Sequence, residues 1–241
     1  MVFFDLSTGR ILTVYGAQGV ILVVFFYLAI RILLRDRKRL NVIFAGLYLS
    51  PAIGILFNWI YAPLTDVPIV QLFNFFTNFG TIYAPIFIVV FDLILLKSEK
   101  IISTSKQLAI LIAYAIVLLC MGIFLLFPGY GVVINDTTNW TPVWSIPFFV
   151  YVVLVLTCCA TIPALYFSIK IYQKFEDEEL KKRWKFFIYG FIALMTFMYA
   201  IFVSNTLANA DFRLIIGVIG ILLALLGAFL MYFGVGKQIE K

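Results

Sequence analysis

Long apolar stretches alternate with short polar connections along this chain. A helix needs about 20 apolar residues to cross the hydrocarbon core of a bilayer. Seven stretches reach that length, at residues 11–34, 40–62, 68–96, 107–127, 143–172, 185–207 and 212–235. They predict an all-α, polytopic membrane protein: one seven-transmembrane-helix bundle over residues 1–241. The third and fifth stretches are long, which predicts tilt or extension beyond the bilayer. The segment MVFFDLSTGR lacks a basic start and has Gly9-Arg10 ahead of the apolar run, so the first stretch is expected to be a retained helix.

The third stretch carries an ordered polar stripe. Gln71, Asn74, Asn78, Thr81, Pro85, Ile88 and Asp92 follow one another at steps of three and four residues. A helix puts such positions on one face. Polar groups against lipid tails are costly, so this face is expected to turn toward the other helices. Span two adds Asn58, and span six adds Ser204, Asn205, Thr206 and Asn209, all at the same end of the bundle. Two arrangements satisfy these amides. They bond to one another and tie helices together, or they line a polar pocket for a small ligand.

Other positions set the mechanics. Pro85 and Pro163 are expected to kink their helices or free a carbonyl beside Thr81 or Thr157, giving a hinge or an ion contact. Asp92 is the acid that lies well inside a span. It is expected to snorkel, to pair with Arg31 or Tyr189, or to serve an ion path or switch. Gly217, Gly220, Ala224 and Gly227 give span seven a smooth face for close packing on another helix, including that of a second copy.

Charge orients the bundle. Of the 18 basic residues, only Arg10 and Arg213 fall outside the connections one–two, three–four and five–six and the C-terminal tail with Lys237 and Lys241. Basic connections stay cytoplasmic, which places the N-terminus outside and the C-terminus inside a multi-pass cell-membrane protein. Trp59, Tyr61, Trp140 and Trp144 at outer ends, and Tyr172 and Trp184 at inner ends, are expected to form interfacial aromatic belts. Composition agrees, with 64% hydrophobic residues and a mean hydropathy of +1.08, against roughly half apolar in soluble chains. The net charge of +6 sits in these connections without a basic groove or stacking motif, so nucleic acid is not an expected partner.

Two connections stand out. The outer PGYGVVINDTTNWTPVW loop is rich in turn formers and is expected to form a short lid; Asn135-Asp-Thr and Asn139-Trp-Thr are formal glycosylation sequons. The inner KIYQKFEDEELKKRWKFF loop pairs Asp177 with Lys181, Glu178 with Lys182 and Glu179 with Arg183 at i, i+4. Span six is therefore expected to begin as a solvated helix, with Glu178, Glu179, Lys182 and Arg183 available to a cytoplasmic signalling partner.

Chemistry is bounded by what is missing. The chain has no histidine, which excludes histidine-ligated haem, His-rich zinc sites and Ser–His or Cys–His nucleophile pairs. Cys120, Cys158 and Cys159 fall within spans and read as small packing residues. An enzyme, a metal and a cofactor are not expected.

Two resemblances follow from these residues. Pro85 and the Asp92-Leu-Ile-Leu-Leu96 run resemble the third helix of microbial rhodopsins. That family holds retinal on a lysine of its last helix, and no lysine lies between Leu214 and Gly236. Lys181 to Gly190, after its charged loop, resembles the seven-helix sensor region that precedes prokaryotic histidine kinases. This implies ligand sensing outside and signal output inside. No kinase follows Lys241, so a stand-alone sensor, a fragment or a partner of separate output proteins is expected.

The expected function is a receptor-like membrane sensor. A small ligand contacts Asn58, Gln71, Asn74, Asn78, Thr81, Asn205 and Asn209 in the outer half, and Asp92, Pro85 and Pro163 carry the shift inward. The alternatives are a small ion or solute transporter or channel with its path along span three, and a structural or assembly subunit of the membrane.

Overall fold

The computed structural model describes residues 8–98, 100–127 and 129–236. The start of MVFFDLSTGR and the tail lysines Lys237 and Lys241 lie outside the described residues. Seven helices are long and apolar enough to cross a membrane. They are α1 (Leu12–Arg35), α2 (Arg39–Tyr61), α3 (Val67–Lys97), α4 (Thr104–Leu125), α5 (Ile146–Lys174), α6 (Glu178–Leu207) and α7 (Ala210–Val235). The chain is therefore an all-α, multi-pass membrane bundle.

Capping side chains explain where several helices start. Asp66 accepts from the Ile69 N–H at 3.2 Å, Ser103 from Lys106 at 3.4 Å, and Ser145 from Phe148 at 3.3 Å. Asp177 accepts from Glu179 at 2.7 Å, and Asn209 from Phe212 at 2.9 Å. Each satisfies an amide that the first turn leaves free. Two helices carry π-helical turns, Leu12–Ala17 in α1 and Thr157–Thr161 in α5. Helix α3 breaks at Ala84–Pro85, because proline cannot donate to the carbonyl four residues back.

The helices close into a ring. α1 packs on α2, α2 on α3, α6 on α7, and α7 back on α1; beyond Pro85, α3 also packs on α5. Two of these seams rest on backbone contact. A Cβ on Gly54 of α2 would lie 2.8 Å from the Thr77 carbonyl oxygen, and one on Gly80 of α3 would lie 2.8 Å from that of Ser50. In the α6–α7 seam, a Cβ on Gly190 would meet the Gly227 oxygen at 2.6 Å, and the converse distance is 2.7 Å. The smooth face of α7 is thus covered within the chain. Ala224 is fully buried, and Gly220 lies against the Phe197 ring. Gly217 faces more open space, its nearest neighbour being Thr13 at 3.5 Å.

The loop after α4 is a folded cap. Val132–Val133 (β1) pairs antiparallel with Val143–Trp144 (β2), so α5 starts at Ile146 rather than at 143. A 3-10 turn at Asp136–Thr138 is capped by Asn135, whose side chain accepts from the Thr137 N–H at 3.0 Å. Of the two sequon asparagines, Asn135 is engaged in this cap and Asn139 is exposed. Arg10 donates to the Asn139 carbonyl at 3.1 Å and Arg213 to that of Pro142 at 2.6 Å. The two basic residues of this end hold the cap down.

The aromatic belts need correction. Trp140, Trp144 and Trp184 are 3%, 2% and 2% exposed, and Tyr61 is also buried. Trp144 stacks on Phe202, Trp184 stacks on Phe187, and the Tyr61 hydroxyl accepts from Asn74. These rings hold the protein interior together instead of marking headgroup level.

Candidate functional site

The stripe on α3 faces inward. Asn74, Pro85, Ile88 and Asp92 are buried, and Gln71, Asn78 and Thr81 are half-buried. Leu72, Phe76 and Leu95, on the other faces of the helix, are exposed. The stripe divides into two polar groups separated by an apolar stretch.

The first group is an amide ladder. The Asn78 Nδ2 donates to Asn74 Oδ1 at 2.9 Å, and the Asn74 Nδ2 donates to the Tyr61 hydroxyl at 2.9 Å. Thr81 donates to its own helix at the Thr77 carbonyl, 2.8 Å away. Burial lowers the pKa of the Arg10 guanidinium, and the nearby Tyr61 and Tyr15 hydroxyls oppose that shift. Asn58 belongs elsewhere. Its amide donates to Gln18 of α1, beside Trp59, whose indole donates to the Val14 carbonyl at 2.8 Å. Asn209 caps α7, and Asn205 is half-buried on α6. The amides grouped by depth in the sequence thus serve several seams. A groove of about 390 Å³ near this end is lined by Tyr15, Gly16, Gly19 and Trp59, to one side of the ladder.

The second group centres on Asp92, which is 0% exposed. Ser168 of α5, 1% exposed, donates its hydroxyl to Asp92 Oδ2. The Trp184 indole of α6 donates to the Ser168 carbonyl at 2.8 Å. Ser168 thereby ties α5 to α3 through its hydroxyl and to α6 through its carbonyl. The Asp92 Oδ1 has no hydrogen-bond partner among the described residues. The expected partners are not used. Arg31 is exposed with its guanidinium 6.0 Å from the Tyr27 ring, and Tyr189 is 59% exposed. Burial inside the bundle rules out snorkelling as well, since the side chain turns to Ser168 rather than to the helix end. Phe91, Phe187 and Phe44 pack around this level, with ring centroids 5.3 to 6.2 Å apart.

Both prolines sit at irregular backbone, and side chains occupy the polar groups nearby. At the α3 break, the Tyr114 hydroxyl of α4 donates to the Ile82 carbonyl at 3.1 Å. Ahead of Pro163, the π turn presents Thr157 and Thr161, whose hydroxyls lie 2.7 and 3.0 Å from the Tyr199 hydroxyl of α6. Turns of this kind recur at functional positions, because the extra residue weakens the local ladder. Tyr199 therefore makes a second polar tie between α5 and α6.

The charged start of α6 departs from the expected pairing. Asp177 caps the helix, so Lys181 pairs with Glu178 at 2.8 Å, while Arg183 pairs with Glu179 as expected. Glu178, Glu179 and Lys182 are exposed and Arg183 is half-buried.

Ser168, Trp184, Tyr61, Gln18 and Tyr199 were not singled out by sequence pattern as site residues. A signal for Ser168 exists: Ala160, Ala164 and Ser168 form a small-residue stripe at steps of four, and all are buried. No protein-family model, curated protein or solved structure matches this chain. The likeness to microbial rhodopsins and to kinase sensor regions therefore rests on the quoted residues alone.

Proposed function

We propose that this protein is a receptor-like membrane sensor in which α3, α5 and α6 move as a linked set. The observation that carries the reading is the Asp92–Ser168–Trp184 connection. An acid at the centre of a membrane helix costs about 2.5–3.5 kcal/mol on insertion scales. A leucine there would pack at lower cost, so packing alone gives no reason for the carboxyl. A switch does: the link is strong while dry and is lost if either helix rotates.

In this reading the basic end faces the cytoplasm and the capped end faces outside. A small ligand at the capped end exchanges the bonds of Asn74 and Asn78 for its own. Tyr61 connects that ladder to α2, and Arg10 bonds the cap. The break at Pro85 and the π turn before Pro163 let α3 and α5 re-aim their basic halves. The charged start of α6 from Glu178 to Lys185 hands the motion to a cytoplasmic partner.

A fluorescent label on Lys182→Cys, in proteoliposomes exposed to fractionated small-molecule extracts, tests this. The expected result is an emission change that disappears in Asn78→Leu and in Asp92→Leu. A response that survives Asn78→Leu ends the ladder as ligand site. One that survives Asp92→Leu ends the relay.

A proton path is the second reading, favoured by the unpartnered Asp92 Oδ1. Against it stands the apolar gap. Thr81 and Asp92 are separated by roughly 16 Å along the helix at 1.5 Å per residue. Pro85 and Ile88 occupy the stripe between them and both are buried. Liposome flux that disappears in Asp92→Asn supports the path, and absence of flux removes it.

A further inference from the structure

At the basic end, a groove of about 440 Å³ opens between α3 and α5, lined by Leu96, Lys97, Lys170, Gln173 and Lys174. We propose that it binds the headgroup of an anionic phospholipid. Three lysines from two helices line it, and all three are exposed. Lys38 and Lys181 each have a carboxylate at 2.8 Å, whereas Lys97, Lys170 and Lys174 have none among the described residues. Lys170 is held in place by the Tyr166 ring, 4.3 Å from its ammonium, rather than by an acid.

Charge counting favours an anion beyond the needs of the fold. Lys97 and Lys174 end their helices, where each helix presents about half a negative charge. Two helix ends thus absorb about one positive charge of three and leave roughly two. The groove lies where two spans leave the hydrocarbon, which is the level of a phosphate ester. Leu96 offers an apolar wall to the first methylenes of the acyl chains. Gln173 offers amide donors to phosphate or glycerol oxygens. A zwitterionic headgroup adds a cation facing three others and is disfavoured. Basic pockets between spans at such a level are a recurrent means of holding anionic lipid.

Native mass spectrometry of the full chain in micelles tests this, with phosphatidylglycerol and phosphatidylcholine of matched acyl chains, and inorganic phosphate as competitor. A one-to-one phosphatidylglycerol adduct should outlast the phosphatidylcholine adduct. Its affinity should fall roughly fivefold for each lysine removed, in Lys170→Gln and then Lys170→Gln with Lys174→Gln. Lys182→Gln, on an exposed turn of another helix, should leave it unchanged and serves as the control for lost charge. Equal retention of the two lipids overturns the proposal. So does an adduct indifferent to Lys170→Gln and the double variant, and so does displacement of the lipid by equimolar inorganic phosphate, which assigns the groove to a free anion.

Discussion

Asp92 is the residue on which the reading turns. Its carboxyl is enclosed, accepts from Ser168 and has no ion pair among the described residues. Hydrogen bonds between membrane helices average about 0.6 kcal/mol and reach about 1.7. A hydrogen bond in a fully buried, dry site belongs at the upper end. A double-mutant cycle between Asp92→Leu and Ser168→Ala, read by thermal unfolding in micelles, should give a coupling of about 1–2 kcal/mol; additive effects would mean that the bond contributes nothing. Trp184→Phe removes the donor to the Ser168 carbonyl and also leaves a small cavity beside Phe187 and Phe175. It should cost about 2–3 kcal/mol and leave the bundle folded. The acid itself is legible in the sequence, because an intramembrane carboxyl stands out against its apolar neighbours. Its partner is not, since serine and tryptophan occur in membrane helices for several reasons and only the packing of three helices chooses among them.

At the level of the helices, the limits of the spans are legible, and each lies within about seven residues of the expected limit because hydropathy and caps set both. The roles of individual small residues are less so. Gly217, Gly220, Ala224 and Gly227 form one face in sequence, yet only the last three meet tight neighbours. Gly227→Ala or Gly190→Ala should therefore destabilise by about 1–3 kcal/mol through overpacking at a backbone contact. Gly217→Ala should be close to neutral, since its Cβ finds ordinary contact. Equal effects at Gly227 and Gly217 in an unfolding assay would contradict the seam as described. The π turn in α5 follows the same logic. Tyr199→Phe removes the hydroxyl that Thr157 and Thr161 share, and should loosen α5 against α6 by about 1 kcal/mol. Nothing in the local sequence TCCAT announces a π turn, because the extra residue is absorbed by packing rather than by propensity.

Across the whole molecule, the sequence pattern separates membrane-facing from interior surface well on α3 and less well elsewhere. The amides of Asn58, Asn74 and Asn209 look like one cluster when only depth along the spans is known. In three dimensions they face Gln18, Tyr61 and a helix start. The aromatic residues at span ends look like belts for the same reason, and burial overturns that for Trp140, Trp144 and Trp184. Depth is legible from a hydropathy profile, whereas rotation about the bundle axis depends on which helices become neighbours.

The inward rotation of α3 supports both the ladder and the relay, and it is open to direct test without altering the chain. A small photoactivated carbene reagent dissolved in the bilayer marks side chains that touch lipid, and mass spectrometry of the digested protein locates the marks. Leu72, Phe76 and Leu95 should be labelled, and Asn74, Asn78 and Asp92 should stay unlabelled. Marks on Asn74, Asn78 or Asp92 at the level of Leu72 and Leu95 would place the stripe against the acyl chains and contradict the account.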